Sequence, residues 1–192
     1  MPSCAIIQKI GQEINQQTMS KINYDLTLIK GIVFDVDGVL SPSTIPLGED
    51  GMPIRMVNIK DGYALQLAAK AGYKLAIITG ADSQAISLRY KALGITDIFQ
   101  KASKKLPIFI NWMESCGLTP NQVVFVGDDV PDICCLEAAG LSVVPADACA
   151  DAKAIAQYIS PITGGYGVAR DIIEEIMRNN GQWMSDTEAF GW

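Results

Sequence analysis

The chain has 192 residues, of which 49% are hydrophobic and 19% charged, with a formal net charge of −6. This length and composition fit one well-packed globular domain. A negative charge without a Lys/Arg-rich run argues against nucleic acid or an anionic membrane as the main partner. Histidine is absent, which excludes a Ser-His-Asp or Cys-His triad, a His-ligated zinc site and a His general base. Any catalysis must therefore depend on carboxylates, lysine, hydroxyls or thiols.

The five cysteines are an odd number and include no C-x-x-C pair, which indicates reduced thiols rather than a disulfide framework. The first residues lack the pattern of a secretory leader, and no apolar run reaches the length of about 18 residues that a membrane span needs. From these observations we expect a cytoplasmic protein.

Residues 1–27 are polar and are predicted to form an N-terminal extension. From Ile29 onward, short apolar runs alternate with segments of helical period. Strands are predicted near 31–36, 75–79, 97–99, 122–126 and 141–144, and helices near 61–71, 82–92, 104–116, 131–139, 148–156 and 166–179. Apolar strands that alternate with helices predict an α/β fold, a parallel sheet with helices on both faces. Ligands bind such sheets at the carboxyl ends of the strands.

Residues 41–59 interrupt this alternation. An Asp50-Gly51 pair lies between two extended, proline-containing segments, which predicts a small β-hairpin. We call residues 41–59 the flap, and we expect it to project beside the end of the first strand.

Residues 181–192 form a short polar tail that carries three large aromatic side chains, Trp183, Phe190 and Trp192. Exposed aromatic groups need a surface to cover them, so we expect the tail to dock on a neighbouring subunit near its active site. The main domain is then predicted to span residues 28–180.

The first motif that carries chemistry is Asp35-Val36-Asp37-Gly38, at the end of an apolar strand. Residues two apart in a strand point the same way, so both carboxylates can face one pocket. The alternative is a turn in which the Asp side chains cap backbone amides. A second strand ends at Thr79-Gly80, where a hydroxyl and backbone N–H groups can hold phosphate oxygens, or where Thr79 simply caps a helix.

Further along the chain, Lys104 and Lys105 open a helical segment, and Asp128 and Asp129 follow a buried strand. Cations in a first helical turn oppose the helix dipole, so at least one lysine needs a partner, unless both are solvated. Two or three carboxylates at one sheet edge are costly without a cation. Hard oxygen ligands with open positions suit Mg²⁺.

The order D-x-D-G, T-G, K and G-D-D-x-x-D between Ile29 and Val144 resembles the haloacid dehalogenase (HAD) superfamily of phosphohydrolases. The resemblance implies a Rossmann-like HAD fold and an aspartyl-phosphate mechanism. In that mechanism Asp35 is the nucleophile and Asp37 the general acid and base. Thr79 and Lys105 hold the phosphoryl oxygens, with Lys104 as the competing lysine. The implied Mg²⁺ ligands are Asp35, the carbonyl of Asp37 and Asp128, and Asp129 would orient Lys105 or a metal-bound water.

The short spacings between these motifs leave no room for a cap domain. The chain resembles the capless 3-deoxy-D-manno-octulosonate 8-phosphate (KDO 8-phosphate) phosphatases, also through Asn58-x-Lys60-Asp61-Gly62 and through Gly164-Gly165-Tyr166-Gly167-Val168-Ala169-Arg170. Val168 and Asp171 replace an Ala and a Glu of that late motif. The resemblance implies a homotetramer and a small acidic sugar phosphate as substrate. The expected substrate-binding residues are Thr79, Gly80, Arg55, Lys60 and Arg170, although the cations could instead be solvated.

Two other functions share most of these features. A phosphatase for a nine-carbon keto-deoxy sugar acid, such as ketodeoxynononate 9-phosphate, would use the same four motifs. A phospho-acceptor signalling module also combines acids, Thr and Lys on a parallel sheet, but there the acidic pair comes first in the chain. Asp37 favours an enzyme, because a general acid and base beside the nucleophile predicts rapid turnover.

Overall fold

The computed structural model describes residues 20–185. Its strands are β1 (Gly31–Phe34), β2 (Lys74–Ile78), β3 (Asp97–Phe99), β4 (Val123–Val126), β5 (Leu141–Val144) and β6 (Tyr158–Ile159). Its helices are α1 (Ile59–Lys70), α2 (Gln84–Ala92), α3 (Lys105–Ser115), α4 (Ile133–Ala138), α5 (Ala150–Ile155) and α6 (Val168–Asn179). All six strands lie in one parallel sheet in the order β3-β2-β1-β4-β5-β6.

Successive residues of the central strands enter two different cores. In β1, Ile32 and Phe34 pack in the core that contains α1, α2 and α6, whereas Val33 packs in the core that contains α3, α4 and α5. Both faces of the strand are therefore buried, and each fully buried large side chain contributes about 1.5 to 3 kcal/mol to folding. The predicted parallel sheet with helices on both faces is confirmed.

Every predicted strand and helix is present, with ends shifted by a few residues. The strand β6 was not predicted because two residues give no readable period. The segment predicted as one helix near 131–139 begins instead as a 3-10 turn, Val130–Asp132, before α4. This turn has consequences for the site.

The flap contains a short antiparallel hairpin. Leu47 and Pro53 form a bridge, and the N–H of Ile54 donates to the carbonyl of Pro46 over 2.9 Å. Gly51 at the tip has a φ of 76°, a conformation that glycine adopts without strain. No cap domain interrupts the sheet between residues 20 and 185, as predicted.

The two ends of the described chain both pack on the domain. Ile22 and Leu26 are buried in the core, so packing starts before the expected boundary at residue 28. Trp183 is 5% exposed and lies edge-on to Tyr63 of its own chain, rather than being available to a neighbour. Phe190 and Trp192, the other aromatic groups of the expected tail, lie outside the described residues. Between residues 20 and 185, no helix has both the length and the apolar character of a membrane span.

The contact between α1 and α6 depends on a buried carboxylate. Helix α6 follows Gly167, which has no side chain to cap it. Asp61 of α1 supplies the cap, because its Oδ1 accepts the backbone N–H of Arg170 over 2.7 Å. Asp61 is 3% exposed, and its Oδ2 has no hydrogen-bond partner among the described residues. Burial raises the pKa of Asp61 to about 6 despite that hydrogen bond.

Asp61→Asn should therefore change the pH dependence of stability. Asp61 has a raised folded-state pKa of about 6, so its contribution to stability is complete below about pH 4 and is lost as the pH rises. The loss is about 3 kcal/mol at most. Asn keeps an acceptor for Arg170 but carries no charge. We expect the Tm of the variant, relative to wild type, to rise between about pH 4 and about pH 6 and to level off at higher pH. Thermal melts measure this; a Tm difference independent of pH would contradict it. The exposed Asp50→Asn is the control.

Candidate active site

The register of the sheet brings the motif residues to one edge. Phe34, the last residue of β1, pairs with Ile77 of β2 and with Val126 of β4. The residues that follow these strands therefore leave the sheet at the same level. Asp35 comes from β1, Thr79 from β2 and Asp128 from β4, so three segments distant in sequence meet at the carboxyl edge.

A tight turn follows β1. The carbonyl of Val36 accepts the N–H groups of Leu40 over 2.9 Å and of Ser41 over 2.8 Å. Gly38 lies in this turn with a φ of 86°, and a Cβ there would come within 2.0 Å of Asp128 Oδ2. Only glycine leaves space for the Asp128 carboxylate. A Cβ at Gly164 would come within 1.9 Å of the Gly38 carbonyl, so the late glycine motif packs directly on this turn.

A buried ion network lies at the centre of the edge. The ammonium of Lys105 contacts Asp35 Oδ2 over 2.8 Å and Asp132 Oδ1 over 2.7 Å. The other oxygen of Asp132 accepts the backbone N–H of Asp128 over 3.0 Å. Lys105, Asp35 and Asp132 are all buried. A buried charge needs a close partner, so each of these groups fixes the others.

The carboxylates of this network can hold a cation. Oxygen atoms of Asp35, Asp128 and Asp132 lie within 4.8 Å of one another. Burial and the neighbouring carboxylates raise the pKa of Asp128 to about 7, and burial and Asp132 raise that of Asp35 to about 6 against the effect of Lys105. One ammonium thus faces three carboxylates. Carboxylate oxygens grouped in this way suit Mg²⁺, and two of the three, Asp35 and Asp128, are metal ligands that the motifs predicted.

The structure separates the two candidate lysines. Lys105 is buried in the network, whereas Lys104 is exposed at the start of α3. Asp129 was expected to orient Lys105 or a metal-bound water. It is exposed, and Asp132 holds the Lys105 ammonium instead. The 3-10 turn after Asp129 folds the chain back and points Asp132 inward. Asp132 was part of the quoted G-D-D-x-x-D pattern, so the sequence contained the signal for its role.

Thr79 and Gly80 line the edge beside the network. Thr79 is 1% exposed, and its hydroxyl oxygen accepts the N–H of Ala81 over 3.2 Å. Gly80 is exposed, and a Cβ there would meet nothing within 4 Å. Because its oxygen accepts that bond, the Thr79 hydroxyl keeps its own proton for donation to another acceptor, such as a phosphate oxygen.

Of the three cations expected to bind substrate, Arg55 is the one that contacts a carboxylate of the first motif. Its Nε and Nη2 donate to Oδ1 and Oδ2 of Asp37, each over 2.7 Å. Lys60 and Arg170 line a different groove of about 300 Å³ on the surface of α1 and α6. The Arg170 guanidinium donates to Glu174 and lies 4.4 Å from the ring centre of Trp183.

A cavity of about 190 Å³ opens between the flap and α2, next to Val36. Its cationic residues are Arg55 and Arg89. Arg89 was not among the residues predicted from the sequence. It belongs to no motif there, and only the fold brings α2 opposite the flap.

Known proteins with this arrangement define its class. HAD phosphohydrolases have a parallel sheet with two acidic residues after the first strand. They also have a Thr, a buried Lys and further acidic residues later in the chain. Residues 58–140 match the family model for haloacid dehalogenase-like hydrolases.

More similar relatives narrow the class. The KDO 8-phosphate phosphatase of Escherichia coli K12 is 36% identical over 154 residues, which are 80% of this chain and 82% of the relative. The solved structure of that phosphatase from Moraxella catarrhalis, in complex with magnesium, phosphate and KDO, has a TM-score of 0.81 at 30% identity and covers 94% of this chain and 99% of its own. The structure from Yersinia pestis has a TM-score of 0.80 at 31% identity, covering 83% of this chain and 86% of that one. This chain belongs to the KDO 8-phosphate phosphatase family of the HAD-like hydrolases, as its motifs predicted.

Asp132→Asn tests the ion network. Without the Asp132 charge, Lys105 is held by Asp35 alone and can move away from the phosphate position. We expect kcat for an aryl phosphate to fall roughly 100-fold. Asp129→Asn is the matched control, because it removes an exposed carboxylate from the same loop, and it should stay near wild type. A phosphate-release assay measures kcat for both variants. If both lose the same activity, the prediction that Asp132 positions Lys105 is wrong.

Proposed function

We propose that this protein hydrolyses KDO 8-phosphate to KDO and phosphate, a step in the synthesis of a lipopolysaccharide precursor. The observation that carries the proposal is the contact of Lys105 with Asp35, beside Asp128, at one sheet edge. It occurs in a chain that is 36% identical to the E. coli KDO 8-phosphate phosphatase.

In the first half of the reaction, a carboxylate oxygen of Asp35 attacks phosphorus. A bond forms between that oxygen and phosphorus while the bond from phosphorus to the sugar oxygen breaks. In its protonated form, and released from the Arg55 guanidinium that holds it here, Asp37 donates a proton to the leaving sugar oxygen. Lys105 and the Thr79 hydroxyl bind the phosphoryl oxygens, where negative charge is concentrated.

In the second half, Asp37 takes a proton from water, and the water oxygen attacks the phosphorus of the aspartyl phosphate. The bond from Asp35 to phosphorus breaks, which releases phosphate and restores the carboxylate. Two carboxylates thus divide the work that a histidine often performs, and the sequence contains no histidine.

The expected metal is Mg²⁺, held by the carboxylates of Asp35 and Asp128 and by the Asp37 carbonyl, and it supplies positive charge beside the phosphoryl oxygens. Gly38 keeps the space that the Asp128 carboxylate occupies. Asp132 keeps Lys105 beside Asp35, so that the ammonium remains at the reacting edge.

We further propose that the protein acts as a homotetramer. Six large apolar side chains of the flap and the start of α1 are about half or more exposed: Leu47, Met52, Ile54, Met56, Val57 and Ile59. A patch of this size on one segment favours cover by another subunit, and a capless site needs such cover to exclude water.

The cytoplasm remains the expected compartment, in keeping with the four free cysteines of the described chain.

The reaction is tested by phosphate release from KDO 8-phosphate, ketodeoxynononate 9-phosphate and simple hexose phosphates, each with Mg²⁺ and with EDTA. We expect metal-dependent release that is fastest with KDO 8-phosphate. Asp35→Asn should lower the rate by roughly 10⁴-fold or more, because it removes the nucleophile. Asp50→Asn, on the exposed flap tip, is the control. Faster release from the nine-carbon substrate would reassign the pathway, and release unaffected by Asp35→Asn would refute the mechanism.

The assembly is tested by placing charges on the flap. The double variant Leu47→Glu, Met52→Glu should be monomeric at concentrations where wild type is a tetramer, because a carboxylate is costly to bury in an apolar interface. Light scattering measures the mass of each. Ile159→Glu changes an exposed apolar residue on β6, outside the flap, and should leave the tetramer intact. A monomeric wild type, or an unchanged double variant, would contradict the proposed interface.

A further inference from the structure

The carboxylate of Asp147 holds the glycine-rich loop of residues 163–167, which we call the late loop. Asp147 lies between β5 and α5, and its Oδ1 accepts the backbone N–H of Gly164 over 2.8 Å. Gly164 itself is buried. A backbone donor that is buried without a partner is costly, so this hydrogen bond favours one position of the Gly164 backbone. The N–H of Ala146 joins the same two segments, because it donates to the Ile162 carbonyl over 2.9 Å.

The late loop in turn packs on the turn that follows β1. Gly164 lies so close to the Gly38 carbonyl that a Cβ would not fit between them. The N–H of Gly165 donates to the Val39 carbonyl over 2.7 Å. Gly38 directly follows Asp37, whose carbonyl is an expected metal ligand and whose carboxyl group is the expected acid and base. A displacement of the late loop would therefore free the backbone beside Asp37.

The segment that carries Asp147 also contacts the backbone of Asp128. The N–H of Cys149 donates to the Asp128 carbonyl over 2.9 Å. Asp128 provides another expected metal ligand, and its carboxylate lies against Gly38. Residues 146–149 thus contact the Asp128 backbone directly and the Gly38 turn through the late loop. Two of the expected metal ligands are linked through this one short segment.

We infer that Asp147 is a positioning residue for the metal site, because it fixes the Asp37 backbone relative to the Asp128 carboxylate. This inference rests on the proposed mechanism, but it does not depend on which sugar phosphate is the substrate. Asp147 acts through the Gly164 N–H and belongs to none of the motifs found in the sequence. Mg²⁺ requires near-ideal octahedral geometry, so its affinity depends on the relative position of its ligands.

The test measures the Kd of Mg²⁺ by isothermal titration calorimetry and kcat with an aryl phosphate at saturating Mg²⁺. Asp147→Ala removes the acceptor of the Gly164 N–H. We expect it to raise the Kd about 10-fold and to lower kcat about 10-fold. Asp147→Asn keeps a carbonyl oxygen that can accept this N–H, so it should recover most of both losses. Asp151→Ala is the matched control, because it removes an exposed carboxylate from the neighbouring helix α5.

The outcomes separate a positioning role from a structural one. If Asp147→Ala lowers the Tm but leaves the Kd of Mg²⁺ and kcat at wild-type values, Asp147 only stabilises the fold and the inference is overturned. It is also overturned if Asp147→Asn is as impaired as Asp147→Ala, since the charge would then matter rather than the hydrogen bond. Should Asp147→Ala not fold, Asp147→Glu moves the acceptor by one methylene, and a wild-type Kd in that variant overturns the inference.

The same measurements distinguish failure of this inference from failure of the proposed function. If wild type binds Mg²⁺ but releases phosphate from no ester, the proposed function fails, and the calorimetric comparison still decides the role of Asp147. If wild type is active and the Kd of Mg²⁺ is the same in all variants, the proposed function stands and the role of Asp147 is refuted. If wild type binds no Mg²⁺, the inference fails together with the expected metal site.

Discussion

The ion network of Asp35, Lys105 and Asp132 is the constraint on which the rest of the site depends. A lone ammonium or carboxylate buried to this extent would be too costly to keep charged. Each group is tolerable only because the other two are within 2.8 Å or are linked through Lys105. The same network leaves an excess of negative charge at the edge, which a divalent cation offsets. Stability of the site and affinity for a metal thus have one electrostatic origin.

The sheet carries this network because its central strands end in register. β1 lies between β2 and β4, so residues from three segments reach one point without any long loop. Both faces of β1 are buried, which fixes the backbone that delivers Asp35. The flap and α2 then add the cations and the apolar wall around the reacting groups. The motif residues thus lie at the rigid strand ends, whereas the flap and α2 form the walls of the adjoining cavity.

Much of this arrangement was readable from the sequence, because apolar runs and short motifs are local signals. The α/β fold, the absence of a cap and the meeting of Asp35, Thr79, Lys105 and Asp128 followed from them. The pairing of Lys105 with Asp132 rather than Asp129 depends on a 3-10 turn, which has too short a period to predict. The separation of Lys60 from Arg55, and the position of Arg89, depend on how helices pack. From the sequence, Trp183 was expected to be exposed. In the structure it is covered by Tyr63 and Arg170 of its own chain.

The contact of Gly164 with the Gly38 carbonyl has a consequence for the order in which the molecule matures. The turn after β1 is made early during synthesis, whereas the loop that packs on it comes near the end of the described chain. The Gly165 N–H donates to the Val39 carbonyl over 2.7 Å, so the late loop also supplies hydrogen bonds to that turn. A nascent chain that already contains all four acidic and basic motifs still lacks this support. Catalytic competence should therefore arrive only after the loop before α6 has been synthesised and has packed on this turn.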